Sequence, residues 1–325
     1  MNILYLIGNG FDLAQGMATS YPDFYASLSQ YVTKNSFEKD IISDIQENIE
    51  QWSDLEEALG KATTRYKDPN LFRNALRFLN ERLKEYLMSE ESRARDTIKL
   101  SSQKLENDLL NPSLYLEEQG MDVFNEVINE DSTNVNIDVV SFNYTDTLER
   151  VLSPIRSATH ELYSRWYYFR EILHIHGTLD DMILVGVNDE SQIQNESFRT
   201  DEFLSDDFIK PEINEGCQNR RNATFLRLIN NAKIIVMFGV SIGITDNKWW
   251  KAIGQRINSN NPPLLLYFPF DPKKDTGGFP NYKRRWSKQY VEFLKERMQI
   301  SRSVEDLSRR ICIGINKGFL NLVEK

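Results

Sequence analysis

The sequence has little cysteine, little histidine and no long hydrophobic run. Its two cysteines, Cys217 and Cys312, are too few for a disulfide framework and lack the paired spacing of a zinc site. No apolar stretch approaches the length that crosses a membrane, and the N-terminus lacks the basic region of a secretory signal. We therefore expect a cytoplasmic protein with no membrane partner and no metal.

Positive charge is also scarce. The 325 residues include 39 lysines and arginines against 48 aspartates and glutamates, which gives a formal net charge of −9. Proteins that bind nucleic acid usually present basic surfaces to its phosphates, so the negative net charge argues against a nucleic-acid partner. A nuclease is kept only as a lesser alternative, because Asp54, Glu56 and Glu57 are close together in the sequence.

Six short apolar runs are present, and most are apolar throughout rather than alternating. This is typical of strands that helices cover on both faces. Helical periodicity between several runs predicts an α/β fold with a doubly wound, mostly parallel, Rossmann-like sheet. The runs are residues 2–7, 137–142, 172–176, 182–187, 233–238 and 264–268.

We predict a single domain over residues 1–325 with two helical additions. Residues 36–134 contain no clear strand, and we interpret them as a helical insertion or subdomain that could act as a lid. The alternative is that these helices belong to the α/β domain itself. Residues 281–325 are predicted to form C-terminal helices, and the polar stretch 189–222 is predicted to be a long loop near the site.

The first candidate motif follows the first run and consists of Gly8, Asn9, Gly10, Phe11 and Asp12. Glycines at a strand-to-helix turn let the backbone approach a phosphate, and the next helix offers free N–H groups. A carboxylate such as that of Asp12 repels phosphate and suits a ribose hydroxyl or a base better. A tight turn without any ligand explains the same residues.

The second motif, with Ser141, Asn143 and Tyr144, ends the second run. A side-chain amide can both donate and accept hydrogen bonds, so Asn143 suits a sugar hydroxyl or a water molecule. Asn143 could instead cap the following helix.

The third motif contains two of the three histidines, at His174 and His176, followed by Gly177. Residues two apart share one face of a strand, so we expect both imidazoles on the same side. No matching metal motif accompanies them, and a general base or a ribose contact is the interpretation for His176. For His174 a structural role explains the pattern as well.

The fourth motif follows the fifth run and contains Gly239, Ser241 and Asp246. Gly239 and Ser241 are candidate hydrogen-bond donors to a nucleotide, through a backbone amide and a hydroxyl, and Asp246 is a candidate acceptor. A turn with a helix cap at Asp246 is the alternative. Because open α/β sheets bind ligands at the carboxyl ends of their strands, we expect the four motifs to meet around one ligand.

The order of these motifs resembles the AbiH family of bacterial phage abortive-infection proteins. The resemblance covers roughly residues 1–257 and rests on GNGFD at 8–12, TSY at 19–21, WSDLE at 52–56, SFNY at 141–144, HIHG at 174–177 and the stretch 239–250. It implies an anti-phage role.

A more distant resemblance is to sirtuin-like NAD-binding domains, in which an asparagine and a histidine before glycine form the catalytic pair. It implies that Asn143 and His176 are catalytic. The four-cysteine zinc module of sirtuin deacylases is absent from this sequence. The resemblance thus implies an NAD glycohydrolase that takes NAD as its substrate and yields nicotinamide and ADP-ribose.

The alternative function is a non-catalytic module that senses NAD or ADP-ribose. In either case the predicted partner is a small-molecule nucleotide. Activation would come from further copies of the chain or from a phage-derived trigger.

Overall fold

The computed structural model describes residues 1–130, 134–162, 164–217, 220–270, 280–314 and 318–324. Its centre is a sheet with the order β3-β4-β2-β1-β5-β6-β7, in which only the β3–β4 pair is antiparallel. The strands are β1 (Asn2–Ile7), β2 (Asn134–Ser141), β3 (His160–Leu162), β4 (Arg165–His174), β5 (Ile234–Phe238), β6 (Leu264–Phe268) and β7 (Ile311–Ile313).

Four of the parallel strands end at the same level. Ile7 at the end of β1 pairs with Ser141 of β2 and with Phe238 of β5, and Ser141 pairs with His174 of β4. The loops that follow these strands therefore meet at one edge, which we call the carboxyl edge of the sheet. All four sequence motifs lie there.

Helices surround the sheet. Several have an N-cap residue whose side chain accepts a hydrogen bond from a backbone N–H of the first turn, and Ser20, Asp54 and Asp68 are examples. The helices are α1 (Gly10–Ala14), α2 (Tyr21–Leu28), α3 (Ser36–Glu47), α4 (Leu55–Ala62), α5 (Pro69–Thr97), α6 (Ser102–Leu110), α7 (Glu118–Asn129), α8 (Thr147–Arg156), α9 (Glu202–Phe208), α10 (Lys210–Gly216), α11 (Arg221–Asn231), α12 (Asn247–Asn258), α13 (Pro280–Arg297) and α14 (Val304–Leu307).

Three apolar clusters hold these layers together. Helices α6, α7 and α8 pack on one face of the sheet, and α11, α12 and α13 pack on the other. This explains why the central strands are apolar on both faces. The third cluster joins α2–α5 to residues 179–209, and we call this unit the helical cap.

The mixed α/β class and the mostly parallel sheet are confirmed. The prediction of a strand at 182–187 is wrong, because this segment forms only isolated bridges and its apolar side chains are buried in the cap. The prediction of a loop at 189–222 is also wrong, since α9 and α10 lie within it. The sequence patterns did not reveal β3 and β7, which have three residues each.

The predicted division into a domain and two additions stays a prediction. Within 36–134, helices α3–α5 belong to the cap, whereas α6 and α7 pack on the sheet. Within 281–325, α13 and α14 are followed by β7. Residues 131–133, 315–317 and 325 of these segments lie outside the described residues.

None of the helices in the described ranges combines the length and the apolar character that a membrane crossing needs.

The turns after β1 and β5 touch each other backbone to backbone. The amide of Gly8 donates to the carbonyl of Phe238 at 2.9 Å, and that of Gly10 donates to the carbonyl of Gly239 at 3.0 Å. An ideal Cβ added at Gly10 would lie 2.5 Å from Gly239 Cα, and Gly239 itself has a φ of +63°. Glycine is therefore required at both positions by packing, whether or not a phosphate binds nearby.

We predict that Gly10→Ala lowers the melting temperature of the chain without ligand, because its new methyl group meets backbone that cannot rotate away. Overpacking of this kind costs about 1–3 kcal/mol. Thermal unfolding followed by circular dichroism measures the loss. Gly216→Ala at the end of α10 is the matched control, since an added Cβ there meets nothing within 4 Å. Equal melting of Gly10→Ala and wild type would show that the two turns are not in contact.

Candidate functional site

A cavity separates the carboxyl edge of the sheet from the helical cap. The loops after β1, β2, β4 and β5 form one side, and residues of α2, α4 and α5 form the other. Its walls contain Gly8, Asn9, Asp12, Thr19, Tyr21, Asp54, Glu56, Leu83, Leu87, Phe142, Asn143, Tyr144, Thr145, His176, Gly239, Val240, Ser241, Thr245, Asp246 and Trp250. An apolar cavity with a few convergent polar groups is the usual form of a small-molecule site.

Most of the residues predicted from sequence line this cavity. They are Gly8, Asn9, Asp12, Asn143, Tyr144, His176, Gly239, Ser241 and Asp246. The other four predicted residues, which are Gly10, Phe11, Ser141 and Gly177, are not part of its walls. A binding role for any of these residues stays a prediction.

The four outlying residues support the walls instead. Gly10 packs against Gly239, and Phe11 is buried in the core on one sheet face. Ser141 accepts the amide of Asn143 through its hydroxyl at 3.1 Å. Gly177 has a φ of +81° and turns the chain into the cap.

Asp12, in the first turn of α1, is a fully buried carboxyl group in the cavity wall. Its Oδ2 accepts the hydroxyl of Thr145 at 2.7 Å, while its Oδ1 has no hydrogen-bond partner among the described residues. Burial raises the pKa of Asp12 to about 7, although the hydroxyl of Thr145 and the nearby side chain of Asn143 oppose the rise. Asp12 thus changes its protonation near neutral pH.

The backbone of Asn143 is held by hydrogen bonds on both sides, whereas its side-chain oxygen has none within the described ranges. Its amide donates to Ser141, and its carbonyl accepts Nδ1 of His174 at 2.9 Å. Its Oδ1 is buried without a partner among the described residues. A buried acceptor with no donor is costly, which suggests that a bound molecule supplies the donor.

His174 is occupied on both nitrogens. Nδ1 donates to the carbonyl of Asn143, and Nε2 contacts the carboxylate of Glu149 in α8. Burial lowers the pKa of His174, but the hydrogen bond and charge of Glu149 outweigh burial and raise it overall. His174 therefore acts as a support for Asn143.

His176 faces the cavity and differs from His174 in its partners. Its Nε2 donates to Oδ1 of Asp246 at 2.9 Å, and its ring packs edge-on against Phe142. Nδ1 has no partner among the described residues. The expectation that both histidines share one face of a strand is wrong, because β4 ends at His174 and strand alternation stops there.

Asp246 belongs to a chain of buried charges that extends from His176 into the cap. Lys210 Nζ lies 2.8 Å from Asp246 Oδ1 and 2.7 Å from Glu56 Oε2. Glu56 Oε1 in turn accepts the amide of Gly186 at 3.2 Å. We call this arrangement the His176–Asp246–Lys210–Glu56 chain.

The charges in this chain stabilise each other. Burial tends to raise the pKa of Asp246, but its interactions with His176 and with the ammonium group of Lys210 outweigh burial and hold the pKa well below its usual range. Burial tends to lower the pKa of Lys210, and the carboxylates of Asp246 and Glu56 raise it instead. Lys210 is therefore a buried ammonium that neutralises two carboxylates.

Sequence reasoning missed Lys210, which pairs with Glu56 and Asp246 of the cavity wall. It lies in the stretch predicted to be a loop, and nothing in its local sequence distinguishes it from a surface lysine. Glu56 was considered only for a nuclease. Among the described residues, no three histidine, cysteine, aspartate or glutamate side chains come close enough together to hold a metal ion.

A family model described as "Bacteriophage abortive infection AbiH" matches residues 4–268 of the chain. The match covers more than half of the sequence, and the chain belongs to this family. No curated protein matches the chain. The resemblance to AbiH proteins that the motifs indicate is therefore confirmed.

We predict that Asp12→Asn stabilises the chain more at pH 8 than at pH 5. The pKa of Asp12 is about 7 when folded and about 4 when unfolded, so folding retains a proton between these values. The stability contributed by this proton is complete below about pH 4 and is lost as the pH rises through 7. Asparagine stays neutral, so its stability advantage grows by about 2–3 kcal/mol between pH 5 and pH 8.

Urea unfolding of both proteins at each pH measures this difference, in which the titration of all other groups cancels. A stability difference that stays constant from pH 5 to pH 8 would show that Asp12 keeps an ordinary pKa.

We predict that Lys210→Met destabilises the fold by about 3–5 kcal/mol, because it leaves Glu56 and Asp246 buried without their counter-ion. Urea unfolding provides the measurement. Lys61→Met is the matched control: it breaks the pair with Glu57, whose side chains are 48% and 37% exposed, and costs at most about 1 kcal/mol. Adding Glu56→Gln to Lys210→Met should restore part of the loss. If the two lysine variants are equally mild, the chain of charges does not stabilise the fold.

Proposed function

We propose that this AbiH-family chain hydrolyses NAD to nicotinamide and ADP-ribose. Membership in the family implies a role in bacteriophage abortive infection. NAD hydrolysis would explain such a role, because an infected cell without NAD cannot support phage growth.

The observation that carries the proposal is the meeting of Asn143 and His176 in one buried cavity. Both residues line the same cavity, and each has one polar atom without a hydrogen-bond partner among the described residues. These atoms are Oδ1 of Asn143 and Nδ1 of His176. These are the two side chains that the sirtuin-like resemblance marks as catalytic. A free acceptor and a free imidazole nitrogen on residues of the same cavity suit the positioning and deprotonation of a water molecule.

The strand order supports a Rossmann-like, sirtuin-like assignment of the sheet. When the six parallel strands are numbered along the chain, their order in the sheet is 3-2-1-4-5-6, which is the order of dinucleotide-binding sheets. Such sheets bind their ligand where the strand order reverses. In this chain that position is between β1 and β5, at Gly8 and Gly239.

In the proposed reaction, the bond between the ribose C1′ and the nicotinamide nitrogen breaks, and its electron pair goes to nicotinamide. Nicotinamide leaves without a general acid because its nitrogen is cationic in NAD. Asn143 Oδ1 holds a water molecule whose oxygen forms the new bond to C1′, and His176 Nδ1 takes the proton. General-base catalysis of this kind contributes about 10²–10⁴-fold.

The remaining residues bind and position. Gly8 and Asn9 would face the pyrophosphate, and Gly239 and Ser241 the adenosine, while Gly10, which was also predicted to bind the nucleotide, supports the turn by packing against Gly239. Asp246 was predicted to accept a hydrogen bond from the nucleotide, but its hydrogen bond to His176 makes it a positioning residue in this proposal. It fixes Nε2 as the protonated nitrogen and leaves Nδ1 as the base.

A non-catalytic nucleotide sensor is the second candidate. The unpaired oxygens of Asp12 and Asn143 indicate a bound molecule, and binding without any reaction would satisfy them. The chain would then bind NAD or ADP-ribose and signal through a partner or a further copy of itself.

We predict that the purified chain releases nicotinamide from NAD, and that chelator leaves the rate unchanged. Chromatography of the reaction mixture measures the release. Asn143→Ala and His176→Ala should each lower the rate by about 10²–10⁴-fold, with normal melting temperatures. His174→Ala should be milder, since it acts through Asn143.

Loss of activity on chelation with recovery on metal addition would overturn the mechanism. NAD binding without nicotinamide release would favour the sensor. An essential His174 beside a dispensable His176 would reverse the roles of the two histidines.

A further inference from the structure

Two buried oxygen atoms in the cavity wall have no donor. They are Oδ1 of Asp12 and Oδ1 of Asn143, and neither has a hydrogen-bond partner among the described residues. Asp12 is 1% exposed and Asn143 is 6% exposed. A buried acceptor without a donor is unfavourable, so the site is arranged for a ligand that supplies at least two donors. In the proposed reaction the water molecule supplies only one of them, to Asn143.

The orientation of Asp12 is set by its other oxygen. Oδ2 accepts the hydroxyl of Thr145, which follows β2 on the same loop as Asn143. Holding this loop requires only Oδ2. Oδ1 is left buried without a donor from the described part of the chain, on a residue that lines the cavity.

The chemistry of a carboxylate restricts what can fill this position. A carboxylate is an acceptor only and carries negative charge, so it repels phosphate and binds hydroxyl or amino donors. The neighbouring Glu91 adds further negative charge, as its effect on the pKa of Asp12 indicates. In a nucleotide, the group that offers uncharged donors next to the reacting bond is the ribose diol.

We infer that Asp12 Oδ1 accepts a hydrogen bond from a ribose hydroxyl of the bound nucleotide, and that Asp12 is therefore the residue that selects ribose over deoxyribose. The identity of the ligand rests on the proposed function, whereas the need for a donor rests on the two unpaired oxygens alone. A charged acceptor at this hydroxyl would also favour the positive charge that develops on the ribose as nicotinamide leaves.

Calorimetry with three ligands at pH 8, above the pKa of about 7 of Asp12, tests the inference. They are NAD, an NAD analogue with 2′-deoxyribose on the nicotinamide side, and one with 2′-deoxyribose on the adenosine side. A His176→Ala background prevents turnover during the titration. A hydrogen bond to a charged group is worth about 1.5–3 kcal/mol, so one of the two deoxy analogues should bind about 10–100-fold more weakly than NAD. Which analogue loses affinity identifies the ribose that Asp12 contacts.

Adding Asp12→Asn should reduce this discrimination to less than about threefold, because it replaces the charged acceptor by a neutral amide of equal size. Asp12→Ser is the second variant, to be used if the asparagine variant melts early. Asp138→Asn is the matched control: Asp138 is a buried carboxyl group in β2 that pairs with Arg170, and it does not line the cavity. It should leave the discrimination unchanged.

The inference is overturned if the background protein binds all three ligands equally, if it binds none of them, or if the Asp12 variants keep the full discrimination. Nicotinamide release by the wild-type chain separates this result from the proposed function. Discrimination without hydrolysis would remove the hydrolase and leave the ribose contact. Hydrolysis without discrimination would remove the ribose contact and leave the hydrolase.

Discussion

The ammonium group of Lys210, buried between Glu56 and Asp246, is the interaction on which the arrangement of the site depends. Two carboxylates and an imidazole could not be buried together at the carboxyl edge without a positive charge among them. Glu56 begins the cap helix α4, and Asp246 follows the sheet strand β5. One side chain therefore attaches the cap to the sheet and sets the charge next to His176. The cap and His176 are thus connected through Lys210 and Asp246.

His174 and His176 are only two residues apart, but they have different hydrogen-bond partners because of the local backbone geometry. His174 is the last residue of β4, and its ring is held between Asn143 and Glu149. His176 lies beyond the strand, where the chain is free to turn toward Asp246. Residues two apart point to the same face only when both lie within a strand, and His176 lies beyond the end of β4. The end of β4 thus separates a supporting histidine from one that faces the cavity.

Much of the sheet and of its functional edge could be predicted from the sequence, because both follow from local patterns. The run 2–7 coincides with β1, and the run 264–268 coincides with β6, since strands buried on both faces are continuously apolar. The run 182–187 has the same composition but is buried in the cap, and composition does not distinguish these environments. Lys210 could not be predicted, because its partners lie 154 and 36 residues away and only the folded chain brings them together.

The free energy of the fold explains why the unpaired oxygens matter. A domain is stable by only about 5–15 kcal/mol, and each buried acceptor without a donor removes about 1–3 kcal/mol of it. Asp12 and Asn143 together therefore cost a substantial fraction of the total stability, and the buried carboxyl group of Asp12 costs more as the pH rises. A neutral side chain in place of Asp12 and an apolar one in place of Asn143 would give a more stable sheet edge. Their presence on one wall of one cavity, beside a histidine with a free nitrogen, is better explained by a ligand than by packing.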